Sequence, residues 1–233
     1  PVGALLYRPK ERDPVCADYR QWKVCGAPPP SSGGIAIAQM LGILERTPIA
    51  AHKPVGGKLN AEATHLFSEA GRLAYADRTR YVADTDFIPL PGKGIASLLD
   101  KGYLAQRAAL IGAKSMGSAA AGTPQGMQVA WGTDTALDRP STSHLVAVDQ
   151  YGNGVSMTTS VEDAFGSRQM VAGFMLNNQL TDFSFDAAQE NGPIANRVQP
   201  GKRPRSAMSP TLVFDKATGK LVLATGSPGG SSI

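Results

Sequence analysis

Apolar positions recur with helical spacing in the first half of the chain and gather in short strand-like runs in the second half. Ile35-Ala-Ile-Ala-Gln-Met-Leu-Gly-Ile-Leu-Glu45 is apolar on nearly every side, which predicts a buried helix opened by a Ser-Gly turn. Leu66, Ala70, Leu73 and Ala74 follow the spacing i, i+4, i+7, i+8 and predict a second helix running to about Val82. A third is expected over roughly Ile95 to Leu110, with Leu98, Leu99 and Leu104 on its apolar face. From Gly112 to Gly126 the residues turn to Ala, Ser, Gly, Thr and Pro, the composition of a flexible connector, here taken over 112–130. Beyond it, His144–Asp149 and Gly154–Ser160 flank Gln-Tyr-Gly-Asn and predict a hairpin. Thr211–Asp215 and Lys220–Thr225 predict a second. Helices first and strands afterwards make the expected fold class α+β.

The bulk numbers narrow the function without choosing it. A chain of 233 residues with 42% hydrophobic and 18% charged residues has ordinary globular composition. The net charge of +4 is spread out apart from Lys202, Arg203 and Arg205, and only 6% of residues are aromatic, so no nucleic-acid partner is expected. No apolar run approaches the roughly 20 residues of a membrane span. The chain opens at Pro1, so its start carries no information on export. Cys16 and Cys25 have no further Cys or nearby His to complete a metal site. If their segment folds back as a short hairpin they could face each other as a disulfide; two reduced thiols are the other reading.

The hydroxyl row Ser141, Thr142, Ser143 stands where the connector becomes a strand. Such a row can be no more than strand-edge polar residues. It can also hold a nucleophile, because a threonine at a chain terminus can use its own α-amine as base, with an ordinary pKa near 8. Thr142 is internal, so that role requires cleavage of the Ser141–Thr142 bond. Gly226-Ser-Pro-Gly-Gly-Ser231 looks like a phosphate loop but has no Lys; its glycine pair can serve as a plain turn or point two N–H groups at an oxyanion.

These motifs occur in a familiar order. Pro28-Pro-Pro-Ser-Ser-Gly-Gly34, Ala76-Asp-Arg78, Thr142-Ser-His144, Asp149 with Gly152-Asn153, Leu176-Asn-Asn-Gln179 with Asp182-Phe-Ser184, Lys202-Arg-Pro204 with Met208-Ser-Pro210, and Gly226-Ser-Pro-Gly-Gly230 resemble the gamma-glutamyltranspeptidase family over nearly the whole chain. The resemblance implies an N-terminal nucleophile hydrolase with a four-layer αββα sandwich. It implies a precursor that cuts itself between Ser141 and Thr142 into a large subunit (1–141 here) and a small one (142–233). Thr142 would be the nucleophile, Ser160 a supporting hydroxyl, and Gly229 and Gly230 the oxyanion donors. Glu162, Gln179 and Asp182 would hold the substrate α-ammonium, for which carboxylate and carboxamide oxygens are suited. Ser206 would hold its α-carboxylate. Asn177 and Asn178 could instead simply satisfy a turn, and Asp182 could cap the following loop. The base is already supplied, so His144 is read as structural; Lys202, Arg203 and Arg205 are read as loop-fixing and solvated charges. No role follows for His52 or His65.

The implied activity is hydrolysis or transfer of the γ-glutamyl group of glutathione and related amides to water, an amino acid or a peptide, with no metal or organic cofactor. Three departures shape the expectation. Ala207 stands where many members have a second carboxylate-binding serine. The Asp186–Gln199 loop is compact and lacks an aromatic residue, which favours hydrolysis or an acylase-like specificity. The resemblance also begins inside the large subunit and stops just past the oxyanion motif, so the chain is expected to be an excerpt lacking the carboxylate-clamping arginine and the later strands. Bacterial members are typically exported, which shifts the cysteine pair towards a disulfide and the compartment towards periplasmic or secreted. The alternatives are an acylase for cephalosporin or glutaryl amides, and a non-catalytic relative acting as a binding module.

Overall fold

The structure, a computed structural model, describes residues 8–127, 129–135 and 142–229. Strands β1 (Val15–Tyr19) and β2 (Trp22–Gly26) form a hairpin whose register sets Cys16 directly opposite Cys25, and the two sulfurs are joined. β2 then pairs antiparallel with β9 (Thr211–Asp215), which pairs with β10 (Leu221–Thr225), giving the four-stranded order β1-β2-β9-β10. The β9–β10 hairpin matches expectation. Its pairing with β2 does not follow from either local pattern, and it means that the helical first half also supplies two strands to the sheet.

Helix α1 (Gly33–Leu44) packs on β1 and β2 and on the long helix α2 (Ala61–Tyr81). Its lack of a polar face is explained by burial on several sides: Ile35, Ala36, Ala38, Gln39, Ile43 and Leu44 are all buried. The glycine pair that opens it serves close approach. A Cβ on Gly33 would stand 2.6 Å from the Met208 carbonyl oxygen, where two backbones pass. Helix α2 starts at an Asn60 cap, whose Oδ1 accepts from the N–H groups of Glu62 and Ala63 at 2.9 and 3.2 Å. Ile43, Leu44, Leu66, Ala70, Leu73 and Leu104 form one core cluster; Val15, Ile35, Tyr81, Val82, Ile88, Leu98 and Trp131 contribute to the other.

The third predicted helix is broken. α3 (Ile95–Leu98) ends, and α4 (Lys101–Ala108) restarts with Asp100 as its cap, Oδ1 accepting from Tyr103 N–H at 2.9 Å. Apolar spacing alone runs through the break because both pieces bury leucines. The Gly112–Gly126 stretch has no helix or strand, as its composition suggests, yet it does not run free. Glu69 of α2 accepts from Met116 N–H (2.9 Å) and Ser115 Oγ (3.1 Å), and Asp77 accepts from Gly122 N–H (2.8 Å). Asp77 also accepts from Gln39 Nε2 at 3.0 Å and the Tyr103 hydroxyl at 2.6 Å, and lies 3.3 Å from the buried Arg107 guanidinium. Burial pushes the Glu69 carboxyl up, but bonds from Met116, Ser115 and Arg72 outweigh it and hold it below its usual value. Burial, with the Asp77 charge behind it, pushes the Tyr103 phenol up.

β3 (Ser143–Val148) and β4 (Gly154–Thr159) form the expected hairpin, closed by Asp149, whose Oδ1 accepts from Tyr151 and Asn153 N–H groups at 2.9 Å each. They make a separate two-stranded sheet, and Leu145, Val146, Val148, Val155 and Met157 are exposed. Three smaller features follow: the ribbons β5 (Met170–Val171) with β6 (Phe174–Met175) and β7 (Ala188–Gln189) with β8 (Gly192–Pro193), and between them a 3₁₀ turn, Gln179–Asp182. The observed class is α+β.

Two stability tests follow. Asp77→Ala leaves Arg107 buried without its carboxylate and should lower the unfolding free energy by about 3–5 kcal/mol in urea denaturation. Replacing Cys16 and Cys25 with serine opens a loop spanning 9 residues of separation. By loop entropy this should cost about 2–3 kcal/mol, measured the same way.

Candidate functional site

Thr142 immediately precedes β3. The β3–β4 register pairs Ser143 with Thr159, so one further step sets Thr142 opposite Ser160. Thr142, Ser143, Thr159, Ser160, Val161 and Ala164 line a cleft of about 290 Å³. Antiparallel pairing alone therefore brings together two hydroxyl residues that are 18 positions apart in sequence.

Past Ser160 the chain turns sharply. The Ser160 hydroxyl oxygen accepts from Glu162 N–H at 2.8 Å, and buried Glu162 holds φ at +76°, a left-handed conformation uncommon outside glycine. Two side-chain and backbone bonds tie this turn to the segment carrying Gln179 and Asp182. Asn178 Oδ1 accepts from Asp163 N–H at 2.9 Å, and Asn178 N–H donates to the Val161 carbonyl at 3.2 Å. Asn177 Oδ1 accepts from Gln179 N–H at 3.1 Å, so both asparagines do turn-forming work. Gln179 and Asp182 are the first and last residues of the 3₁₀ turn and half-buried; neither lines the cleft, but Asn178 just before them bonds to Val161, which does. Buried Phe183 pins the next position.

Asp182 is also held from behind, by Asn196, whose Nδ2 donates to its carbonyl oxygen at 2.7 Å. The same amide nitrogen donates to Asp134 Oδ2 at 3.1 Å, and Asp134 Oδ2 lies 2.9 Å from Arg205 Nη2. Nothing in the spacing of the sequence marks Asn196; a polar residue closing Ile194-Ala195 inside a loop is the only hint. Arg205 and Lys202 correct the reading of this basic run as solvated. Both are buried, and the Lys202 ammonium donates to the carbonyls of Ala195 and Arg197 and to Gln199 Oε1. Burial first, then the Arg197 charge, pulls the Lys202 pKa down to about 8. The loop-fixing part of that reading is what these bonds accomplish. Arg203 keeps partial exposure near Asp86.

Ser206 and Gly229 do not line the cleft. Ser206 sits in a parallel bridge with Ser31, its carbonyl accepting from Ser32 N–H (2.8 Å) and Oγ (2.7 Å), and its own hydroxyl accepting from Met208 N–H (3.1 Å). Arg78 Nε donates to the same Ser32 hydroxyl at 2.8 Å, which explains why a buried arginine follows Ala76-Asp77. Gly229 follows β10 with φ at +130°. The strand delivering it abuts the nucleophile candidate's own strand: a Cβ on Gly226 would fall 2.1 Å from the His144 ring. His144 Nδ1 lies 2.8 Å from Thr158 Oγ1, a packed and bonded position in keeping with its structural reading. Ser141 and Gly230 lie outside the described residues. Among the described residues no group of three or more His, Cys, Asp and Glu side chains could hold a metal, and no helix is long and apolar enough to cross a membrane.

The family model for gamma-glutamyltranspeptidase matches residues 6–233. A glutathione hydrolase proenzyme from a Pseudomonas species is 39% identical over 97% of this chain, and one from Escherichia coli is 38% identical over 97%. An acylase proenzyme from another Pseudomonas is 34% identical over 96% of the chain. Among solved structures, a cephalosporin acylase from Bacillus halodurans superposes with a TM-score of 0.71 at 25% identity, covering 94% of this chain and 35% of that one. The chain spans 38% of the length of the two glutathione hydrolase relatives and 36% of the acylase proenzyme. A matching family model over almost every residue, together with relatives of this identity, makes the chain a member of the gamma-glutamyltranspeptidase family.

Proposed function

We propose that this chain carries the junction and much of the active site of a self-processed threonine amidohydrolase acting on γ-glutamyl amides such as glutathione. The observation that carries the reading is that Thr142 and Ser160 line the same cleft of about 290 Å³, one step beyond the Ser143–Thr159 pair that opens the β3–β4 register. Cleavage of the Ser141–Thr142 bond frees the α-amine of Thr142, which takes the proton of its own hydroxyl as the oxygen attacks the γ-carbonyl. The N–H groups of Gly229 and Gly230 stabilise the oxyanion. Glu162, Gln179 and Asp182 hold the substrate ammonium, and Ser206 its carboxylate. The amine leaves, and water or an acceptor amine then takes the acyl group from Thr142.

The finer architecture belongs to the same reading: a full αββα sandwich in which the exposed β3–β4 hairpin is one part of a larger sheet, in a two-subunit protein cut from one precursor. The bonded cysteine pair supports an exported, periplasmic or secreted location. The Asp186–Gln199 loop, folded into the short β7–β8 ribbon and without an aromatic residue, supports hydrolysis over transfer. A second reading, an acylase for glutaryl-type amides, is favoured by the likeness to the cephalosporin acylase structure. Loss of catalysis, with the scaffold kept as a binding module, is the third.

Protein expressed from the full-length gene should contain a chain beginning at Thr142, found by intact mass and N-terminal sequencing, and Thr142→Ala should remain uncut. A wild-type chain that stays whole for days would sink the catalytic reading and leave the binding module. Rates on a γ-glutamyl anilide and a glutaryl anilide separate the other two. Asp182→Asn should lower kcat/KM on the γ-glutamyl compound by roughly 30- to 150-fold, the loss of a charge-assisted bond of about 2–3 kcal/mol. It should barely alter the glutaryl rate. A wild type that prefers the glutaryl compound establishes the acylase.

A further inference from the structure

We propose that Asn196 is a positioning residue that sets substrate selectivity by fixing the backbone of Asp182, an inference that rests on the ammonium-binding role given to Asp182 above. Asn196 is fully buried, and its amide is used completely. Nδ2 donates to the Asp182 carbonyl (2.7 Å) and to Asp134 Oδ2 (3.1 Å), and Oδ1 accepts from Arg205 N–H (2.9 Å). The backbone joins in, since the Asn196 carbonyl accepts from Ser184 N–H at 3.0 Å and Ser184 bridges Arg197 in parallel.

The orientation of this amide admits no alternative. Turning it over would set its oxygen against two acceptors, the Asp134 carboxylate and the Asp182 carbonyl, and its NH₂ against the Arg205 N–H donor. Asp134 is in turn locked by the Arg205 guanidinium at 2.9 Å, both side chains being almost wholly buried. Asp134 precedes Thr142 in sequence, whereas Asp182, Asn196 and Arg205 follow it. One buried amide therefore ties the loop presenting Asp182 to a rigid ion pair formed across the junction. The other side of that loop is fixed by Asn178 to the turn beyond Ser160. Asp182 is gripped between the two.

The dependence on Asp182 gives a signature that general weakening of the fold would not. In the full-length, self-cut enzyme, Asn196→Ala should raise KM for a γ-glutamyl anilide about tenfold, with kcat held within about twofold. The rate on a glutaryl anilide, which has no α-ammonium, should change less than about twofold. In an Asp182→Asn background the same substitution should add nothing. Asn196→Ser, which keeps a small polar group at the site but is one bond too short to replace the Nδ2 bond to the Asp182 carbonyl, replaces the alanine variant if that variant does not fold and should show the same split. Equal losses on both substrates, or no loss on either, overturn the positioning role. A wild type whose γ-glutamyl preference survives Asp182→Asn overturns the role of Asp182 itself, and with it this inference, and the two failures are told apart by that control.

Discussion

The antiparallel register between β2 and β9 is the constraint on which the other placements depend. Five residue pairs, from Trp22 opposite Asp215 to Gly26 opposite Thr211, join a strand near the start of the chain to one near its end. Once these lie side by side, the Pro28–Gly34 loop and the Ser206–Pro210 loop must pass each other at backbone distance. That contact is why Gly33 has no room for a Cβ and why Ser31 and Ser32 bond to Met208 and Ser206. The same register carries β10 to the start of β3, where Gly226 lies under the His144 ring and Ser156 Oγ donates to the Thr225 carbonyl at 2.8 Å. Thr142 is thus placed by a long-range strand pairing rather than by its own neighbourhood.

Local rules in the sequence reached the parts of the fold that local physics decides. A continuous apolar run after a Ser-Gly turn found α1, helical spacing found α2, turn chemistry found the β3–β4 and β9–β10 hairpins, and the cysteine pair announced the β1–β2 hairpin if it folded back. The break at Asp100 escaped because apolar periodicity is blind to a cap that interrupts it without changing which residues face the core. The connector misled for a related reason. Its Ala, Ser and Gly residues present little side chain, so nothing in them reveals that their backbone N–H groups are claimed by Glu69 and Asp77 of α2.

The candidate site was legible as types in order and far less as contacts. Thr142 and Ser160 could be named from the sequence, and the strand register explains why they meet. The loop residues are another matter. The bonds that hold Gln179 and Asp182 come from Asn177 and Asn196, one within the motif and one outside any motif, and only three-dimensional packing distinguishes a turn-forming asparagine from one that braces a neighbour. Arg205 reads as surface charge because its partner, Asp134, lies 71 residues away.

The buried charges have a common pattern that bears on what they are for. Glu69, Asp77, Arg78, Arg107, Asp134 and Arg205 are all almost fully buried, and each makes bonds to irregular backbone or to a side chain arising from it. Buried ion pairs are weak sources of net stability, because desolvation offsets most of their attraction. Apolar residues of similar size would serve a core at least as well. What an apolar residue cannot do is fix a segment that has no ladder of its own, since dispersion contacts are non-directional while a carboxylate or guanidinium bonds only along particular vectors. The stretches held in this way are the connector upstream of Thr142, the Ser31–Ser32 loop and the loop behind Asp182. Those are the places where a site assembled from loops most needs defined backbone, and where the chain has accepted the desolvation cost of a buried charge to obtain it.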